Sequence, residues 1–350
     1  MSEMKEMILD VAERMLEDRV TKDVVDVLEK GDWSKDTWTL FVENGMVSVA
    51  LSEEHGGAGG DLEDLLNLVR LTGKYAAPIP FAETTFANFI LETSNLAVVD
   101  KIATYSLQDG FISQNNQING VLHNVPWARH AKYLVALVQS NQGVHVALID
   151  LANATIQPST NLASEPRDTV ILNNAQAHSS AVLSDEQIFY FKTIETAFKI
   201  ALMTGAIEKI NELSVQYSKE REQFGRPIHR FQLVQYQIAQ LAGETAIAIA
   251  AFNNVCAAIQ SQKLLHEVAF ARIRFEDAIS TVASVSHQLH AAIGTTHEHA
   301  LHQYTRRLWA WRDEGTNADF WSEHIADYLL NRDAELWAYL TKTAQTVVKK

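Results

Sequence analysis

The sequence has one cysteine, no basic patch, no internal repeat and no low-complexity linker. Its lone thiol, Cys256, excludes an internal disulfide and leaves no thiolate pair for a structural zinc site. It lies in the apolar, alanine-rich run AIAIAAFNNVCAAI and reads as inert helix packing. Acidic residues outnumber Lys and Arg by 43 to 29, for a net charge of -14. That field repels phosphate backbones and anionic lipid, so neither nucleic acid nor a membrane surface is expected as a partner. The opening MSEMKEMILDVAERMLEDRV carries Glu3, Glu6, Asp10 and Glu13 among its apolar residues, which excludes the long apolar core of a signal peptide or membrane anchor. A cytoplasmic location is the expectation.

With 350 residues, 47% of them apolar, the chain is long enough to bury a substantial core spread over two or three domains. From Glu3 to Leu28 the apolar positions recur at mostly three- and four-residue steps, which predicts a helix there. A second helix is expected over Ser34 to Asn44, and a third opened by Asp61 as N-cap and ended before Pro78. Between about Ile102 and Leu183 the pattern changes to short apolar stretches, KYLVALV, GVHVALID and DTVILNN, bounded by Asn, Gly, Pro and Asp. After Asp185 helical spacing returns, interrupted at EQFGRPI, near AAIGTT and at DEGTN. The expected class is mainly α with a central β domain: N-terminal helices over 1–101, a middle β domain over 102–185 and a C-terminal helical bundle over 186–350. No alternating βαβ units occur, which argues against a doubly wound dinucleotide-binding sheet.

The most informative stretch is YSKEREQFGRPIHRFQLVQYQIAQLA, residues 217–242. Arg221 supplies a planar, permanently charged fork suited to pyrophosphate oxygens, Gly225 a backbone freedom closed to other residues, and Phe224 a cover for a flat ring. Composition alone also allows a helix-loop-helix whose Arg pairs with Glu220 or Glu222. The pattern R-x-Q-F-G-x-P-I, followed by F-Q in the next helix, resembles the flavin-contacting signature of the acyl-CoA dehydrogenase family. LSEEHGG at 51–57, NGVLHNVPWARHAKYLV at 119–135 and HQLHAAIGTTHEHALHQYTRR at 287–307 resemble further family segments in the same order.

The resemblance implies an N-terminal helical domain, a middle β-barrel-like domain and a C-terminal bundle. It implies FAD as cofactor, an acyl-CoA thioester as substrate, and an electron-transfer flavoprotein as acceptor. It implies a dimer or tetramer, with an unlike subunit as one option, since in the family the R-x-Q-F-G residues reach the flavin of a neighbouring subunit. The flavin-side positions carried over are Arg221, Gln223, Phe224, Phe231 and Gln232, together with Gln288 and Gly294. Ala291 and Ala292 stand where the family has adjacent glycines, and Val125 and Trp127 are expected near the ring. Flavin-dependent α,β-dehydrogenation needs a carboxylate to remove the α proton while a hydride leaves the β carbon. In the family that Glu occupies either a late Y-E-G-T turn or the helix before the R-x-Q-F-G loop. Ungapped counting puts Gly315, not Glu314, at the late position, and Glu195 at the helical one.

Glu195 shares a helical face with Phe198, Leu202 and Gly205, an apolar setting that should raise its pKa. Lys192 and Lys199, three before and four after it, also allow an exposed salt-bridge ladder. Other motifs carry less. His299 and His302 lack the H-E-x-x-H spacing of a zinc site, so no metal is expected. GGAGG at 56–60 has no G-K-[ST] after it and reads as a turn, while Arg306 and Arg307 suit either CoA phosphates or a bundle surface. The T-E-P-x-x-G-S segment of the family is replaced by TYSLQDG. Three functions stay open at this level: an FAD-dependent acyl-CoA dehydrogenase, a degenerate partner subunit of a heteromeric one, and an oxidase or monooxygenase of the same fold.

Overall fold

The computed structural model describes residues 3–331 apart from Ala58, Asn115 and Asn116. The expected continuation of the bundle over 332–350 lies outside the described residues. Helices α1 (Glu3–Arg19), α2 (Lys22–Asp26), α3 (Lys35–Glu43), α4 (Leu62–Lys74) and α5 (Phe81–Thr93) come first. Strands β1 (Ala103–Gln114), β2 (Gln117–Pro126), β3 (Tyr133–Ser140), β4 (Gly143–Asp150), β5 (Thr155–Gln157), β6 (Arg167–Ala175) and β7 (Ala177–Val182) follow. Then come α6 (Asp185–Glu220), two-residue strands β8 (Glu222–Gln223) and β9 (Arg226–Pro227), and helices α7 (Gln232–Ala258), α8 (Leu264–His290), α9 (Leu301–Asp313) and α10 (Ala318–Asn331). The order is helices, sheet, helices, as the spacing predicts.

Local chemistry explains the boundaries. Asp61 and Asp64 form a reciprocal capping box at the start of α4, and Ser184 and Gln187 do the same for α6. The single helix expected from Glu3 to Leu28 is instead broken after Arg19, where the Thr21 hydroxyl accepts from the Val24 amide and opens α2.

The seven strands form one sheet in the order β5-β6-β2-β1-β3-β4-β7, with β1 and β3 parallel and the other pairs antiparallel. Strand β3 shows why KYLVALV reads as an unbroken apolar run. Val135 and Leu137 enter the core shared with the helices, while Leu134, Ala136 and Val138 enter a second core on the opposite face. Both faces are buried, so alternation between polar and apolar disappears.

The 36-residue α6 is the axis of the molecule and packs on α4, α7, α8 and α9. It meets α4 backbone to backbone. A Cβ added at Gly73 would lie 2.2 Å from the Leu202 carbonyl oxygen, and one at Gly205 would lie 2.0 Å from that of Arg70. Beside the crossing, Arg70 forms a two-pronged ion pair with Glu208. Either added methyl would force the helices apart. Gly205→Ala is therefore expected to cost about 3 kcal/mol, read from the shift in denaturant midpoint; an unchanged midpoint would contradict this packing.

Candidate active site

Beyond the α4 crossing, α6 carries its inner face toward the sheet. Phe198 on that face is buried, its ring 5.2 Å from Phe86. One turn earlier the same face reaches a cavity of about 610 Å³ and presents Glu195. The wall is completed by Tyr105 to Gln108 from β1, Asn124 and Pro126 from β2, and the turn after α9 at Asp313 to Thr316. The Tyr105 hydroxyl donates to Glu195 Oε1 at 3.1 Å, and its ring is held edge-on to Phe86 at 4.6 Å. Burial raises the Glu195 pKa, opposed in part by the charge of Lys199 and the Tyr105 hydrogen bond.

Gly315 faces this carboxylate. It sits at φ +69°, and a Cβ built there would stand 3.5 Å from the Glu195 carboxylate carbon and oxygens. The two positions expected for a base thus stand side by side, with a glycine at 315 and a carboxylate at 195. Glu314 has a different environment. It takes Arg167 Nε and Nη2 at 2.8 Å each, Lys199 Nζ at 2.5 Å and Asn161 Nδ2 at 2.8 Å. Burial alone would raise its pKa, but Arg167 and Lys199 hold it well below the usual carboxylate range. The network continues from Arg167 to Glu165 at 3.1 Å, and from Glu165 to Arg307 at 3.2 Å and Trp311 Nε1 at 2.9 Å. Arg307 is therefore a buried ion-pair partner, 2% exposed, rather than a surface cation. The proposed ladder is not what the described residues show: Lys199 belongs to Glu314, and no ion pair joins Lys192 to Glu195.

The residues expected on the flavin side lie elsewhere. Phe224 and Gly225, at φ 53° and 75°, make the two-residue turn of the β8–β9 hairpin. Phe224 is 93% exposed, with Phe231 6.2 Å from it and Arg226 stacked over Phe231 at 4.3 Å. Arg221, Gln223 and Gln232 are exposed beside it. At the end of α8, Gln288, Ala291 and Ala292 are exposed. Ala291 holds φ 52°, a conformation that favours the glycine the family has there. Gly294 is close-packed, since an added Cβ would lie 2.8 Å from His290 Cβ. Tyr217 stacks on His290 at 4.5 Å, so hairpin and turn share one end of the bundle. At 1.5 Å per residue, Arg221 is about 39 Å along α6 from Glu195. The structure does not bring the hairpin and the carboxylate into one site within a single chain.

Val125 and Trp127 are buried, 1% and 3% exposed, rather than on the cavity wall. Trp127 packs edge-on to Trp33 at 6.3 Å. Left-handed backbone at Asn124 and Trp127 reorients this strand end, and Asn124 and Pro126 face the cavity instead. Sequence reasoning also missed Tyr105 and Glu83. Glu83 is buried at the start of α5, where burial pushes its carboxyl up to about 7 against the pull of Arg167 and Lys199. An acid inside the run FAETTFANFI was the available signal. Among the histidines, His299 turns to Tyr217 and His290, while His302 lies near His297 and Asp26. Asp26 is already engaged by Lys22 and Gln303.

The ion network generates a stability prediction. Glu314→Gln leaves Arg167 and Lys199 without their shared anion and is expected to cost about 3 kcal/mol. The folded pKa of Glu314 lies below its ordinary value of 4.5. Its stabilisation is thus present above that pH and lost as pH falls toward the folded value. Denaturant titrations across pH 3 to 7 should show a shallower acid loss in the variant; parallel curves would contradict the assignment.

Comparison with known proteins agrees with this architecture. Residues 2–98 match the family model "Acyl-CoA dehydrogenase, N-terminal domain" and residues 195–312 match "Acyl-CoA dehydrogenase, C-terminal domain". The chain is 30% identical to acyl-CoA dehydrogenase IpdE2 of Mycobacterium tuberculosis, over 79% of this chain and 80% of that protein. It is 28% identical to the protein of the same name in Mycolicibacterium smegmatis, over 88% and 93% of the two chains. Among solved structures, butyryl-CoA dehydrogenase of Megasphaera elsdenii superposes with a TM-score of 0.85 at 15% identity, covering 94% of this chain and 99% of that one. A chain of the ChsE4-ChsE5 complex of Mycobacterium tuberculosis superposes with a TM-score of 0.82 at 17% identity, covering 94% and 98%. The chain belongs to the acyl-CoA dehydrogenase family.

Proposed function

We propose that this chain is a subunit of an FAD-dependent acyl-CoA dehydrogenase in which Glu195 removes the α proton of an acyl-CoA thioester. The observation that carries the reading is the contrast between two acids beside one cavity. Glu195 has a raised pKa, one hydrogen bond from Tyr105 and an open glycine opposite it. Glu314 is committed to two cations and is too weak a base. A carboxylate of raised pKa is the better match for a weakly acidic carbon. Tyr105 fixes Oε1 and leaves Oε2 to meet the α proton.

Bound FAD would supply the hydride acceptor, its N5, for the β carbon. The exposed guanidinium of Arg221, the amides of Gln223 and Gln232 and the uncovered ring of Phe224 offer the donors and the apolar cover that such a group needs. Lying about 39 Å along α6 from Glu195, this set serves the flavin of a neighbouring chain. The uncharged exposed face of α7, with Leu233, Tyr236, Gly243 and Ile247, continues that surface. Assembly as a dimer or tetramer follows, with an unlike chain as partner supported by the likeness to the ChsE4-ChsE5 complex. Electrons leave to an electron-transfer flavoprotein.

Glu195→Gln is expected to lower kcat by about 10³-fold with flavin content unchanged. In the wild type kcat/KM should rise with pH along an acid limb whose midpoint lies above the ordinary 4.5 of a glutamate. Tyr105→Phe removes a hydrogen bond that favours the ionised form, so it should move that midpoint higher still. Wild-type turnover by Glu195→Gln would dispose of the assignment.

A further inference from the structure

The two lysines that flank Glu195 have different fates. Lys199 is buried and bonded to Glu314 at 2.5 Å. Lys192, one helical turn toward the start of α6, is partly buried, lines the cavity and, among the described residues, joins no ion pair. Its ammonium is 6.0 Å from the Phe320 ring, the outer limit of a useful cation–π contact. The wall around it mixes apolar side chains, such as Leu107 and Leu162, with polar ones. Gln108, Asn124 and Thr160 are exposed at the edge of the same cavity, and among the described residues none of these side chains has a protein hydrogen-bond partner.

A plain hydrocarbon chain laid against these groups would strip their water and return no hydrogen bond, a cost to any polar group that a ligand covers. We propose that the acyl group accepted here carries its own oxygen acceptor, a carboxylate or a ketone, and that Lys192 receives it. The inference rests on the reading of this cavity as the acyl site. Lys192 donates a charge-assisted hydrogen bond to the acceptor oxygen, while Gln108 and Asn124 supply amide donors along the same wall. Lys192 is thus a specificity-determining residue rather than a member of the proton-transfer pair.

The test is equilibrium binding of three thioesters matched in length, hexanoyl-CoA, adipoyl-CoA and 5-oxohexanoyl-CoA, to the flavin-loaded Glu195→Gln protein by titration calorimetry. Adipoyl-CoA or 5-oxohexanoyl-CoA should bind at least about tenfold more tightly than hexanoyl-CoA, the lower range for a hydrogen bond to a charged group. Adding Lys192→Met should erase that difference without weakening hexanoyl-CoA, and Lys192→Arg should retain it, which separates charge from packing. Equal affinities, tighter hexanoyl-CoA, a preference that survives Lys192→Met, or binding of none of the three would overturn the proposal. Binding is read without turnover. A wild-type enzyme that binds adipoyl-CoA as described yet oxidises none of the three would count against the proposed reaction alone.

Discussion

The contact between α4 and α6 is closer than any side chain at positions 73 and 205 permits, and the positions of the functional groups depend on it. Carbonyl oxygens of Leu202 and Arg70 occupy the space where methyl groups would stand. Locked there, α6 has no freedom to rotate or slide, so Glu195 is presented to the cavity and Arg221 to the outer end of the bundle. One rigid helix therefore joins the carboxylate at the cavity to the hairpin at the far end of the bundle, the two groups that the proposed function assigns to different sites. Phe224, exposed on the left-handed turn of the hairpin, is the ring that the proposed assembly would cover.

The second constraint is electrostatic. Two glutamates approach the same cavity, and their surroundings push them in opposite directions. Arg167 comes from the first residue of β6, Lys199 from α6, and Glu314 from the turn after α9, so the network ties three elements into one wall. Glu165 extends it to Arg307 and Trp311 inside the bundle. Buried ion pairs of this kind add little net stability over an apolar core, yet losing one member is expensive. Their effect here is geometric: they hold Gly315 against Glu195, and among the described residues Lys192 on the same wall joins no ion pair.

Much of the layout was legible in the residues. The change from helical spacing to short apolar runs and back located the sheet, Asp61 caps α4 as expected, and Gly225 takes the left-handed turn that its lack of a side chain permits. Glu195 was reachable because it lies on a long regular helix, where counting by turns places a side chain reliably. The strand end at Val125 and Trp127 was not, because two left-handed residues reorient it and strand alternation no longer tells which side chain faces the cavity. Tyr105, Glu83 and Arg307 owe their roles to partners far away in the chain, such as the Tyr105–Glu195 pair, and no local pattern announces those. The broken first helix is a milder case: Thr21, able to cap a new helix start, was the local sign.

The central claim is that one carboxylate, Glu195, starts the reaction. The most direct measurement is the visible spectrum of the flavin-loaded protein during anaerobic addition of an acyl-CoA thioester that the wild type oxidises, compared with Glu195→Gln. The account predicts that the wild-type flavin band bleaches and the variant's does not, although the variant still binds the thioester. Equal bleaching in the two proteins would contradict it and place the base elsewhere in the cavity.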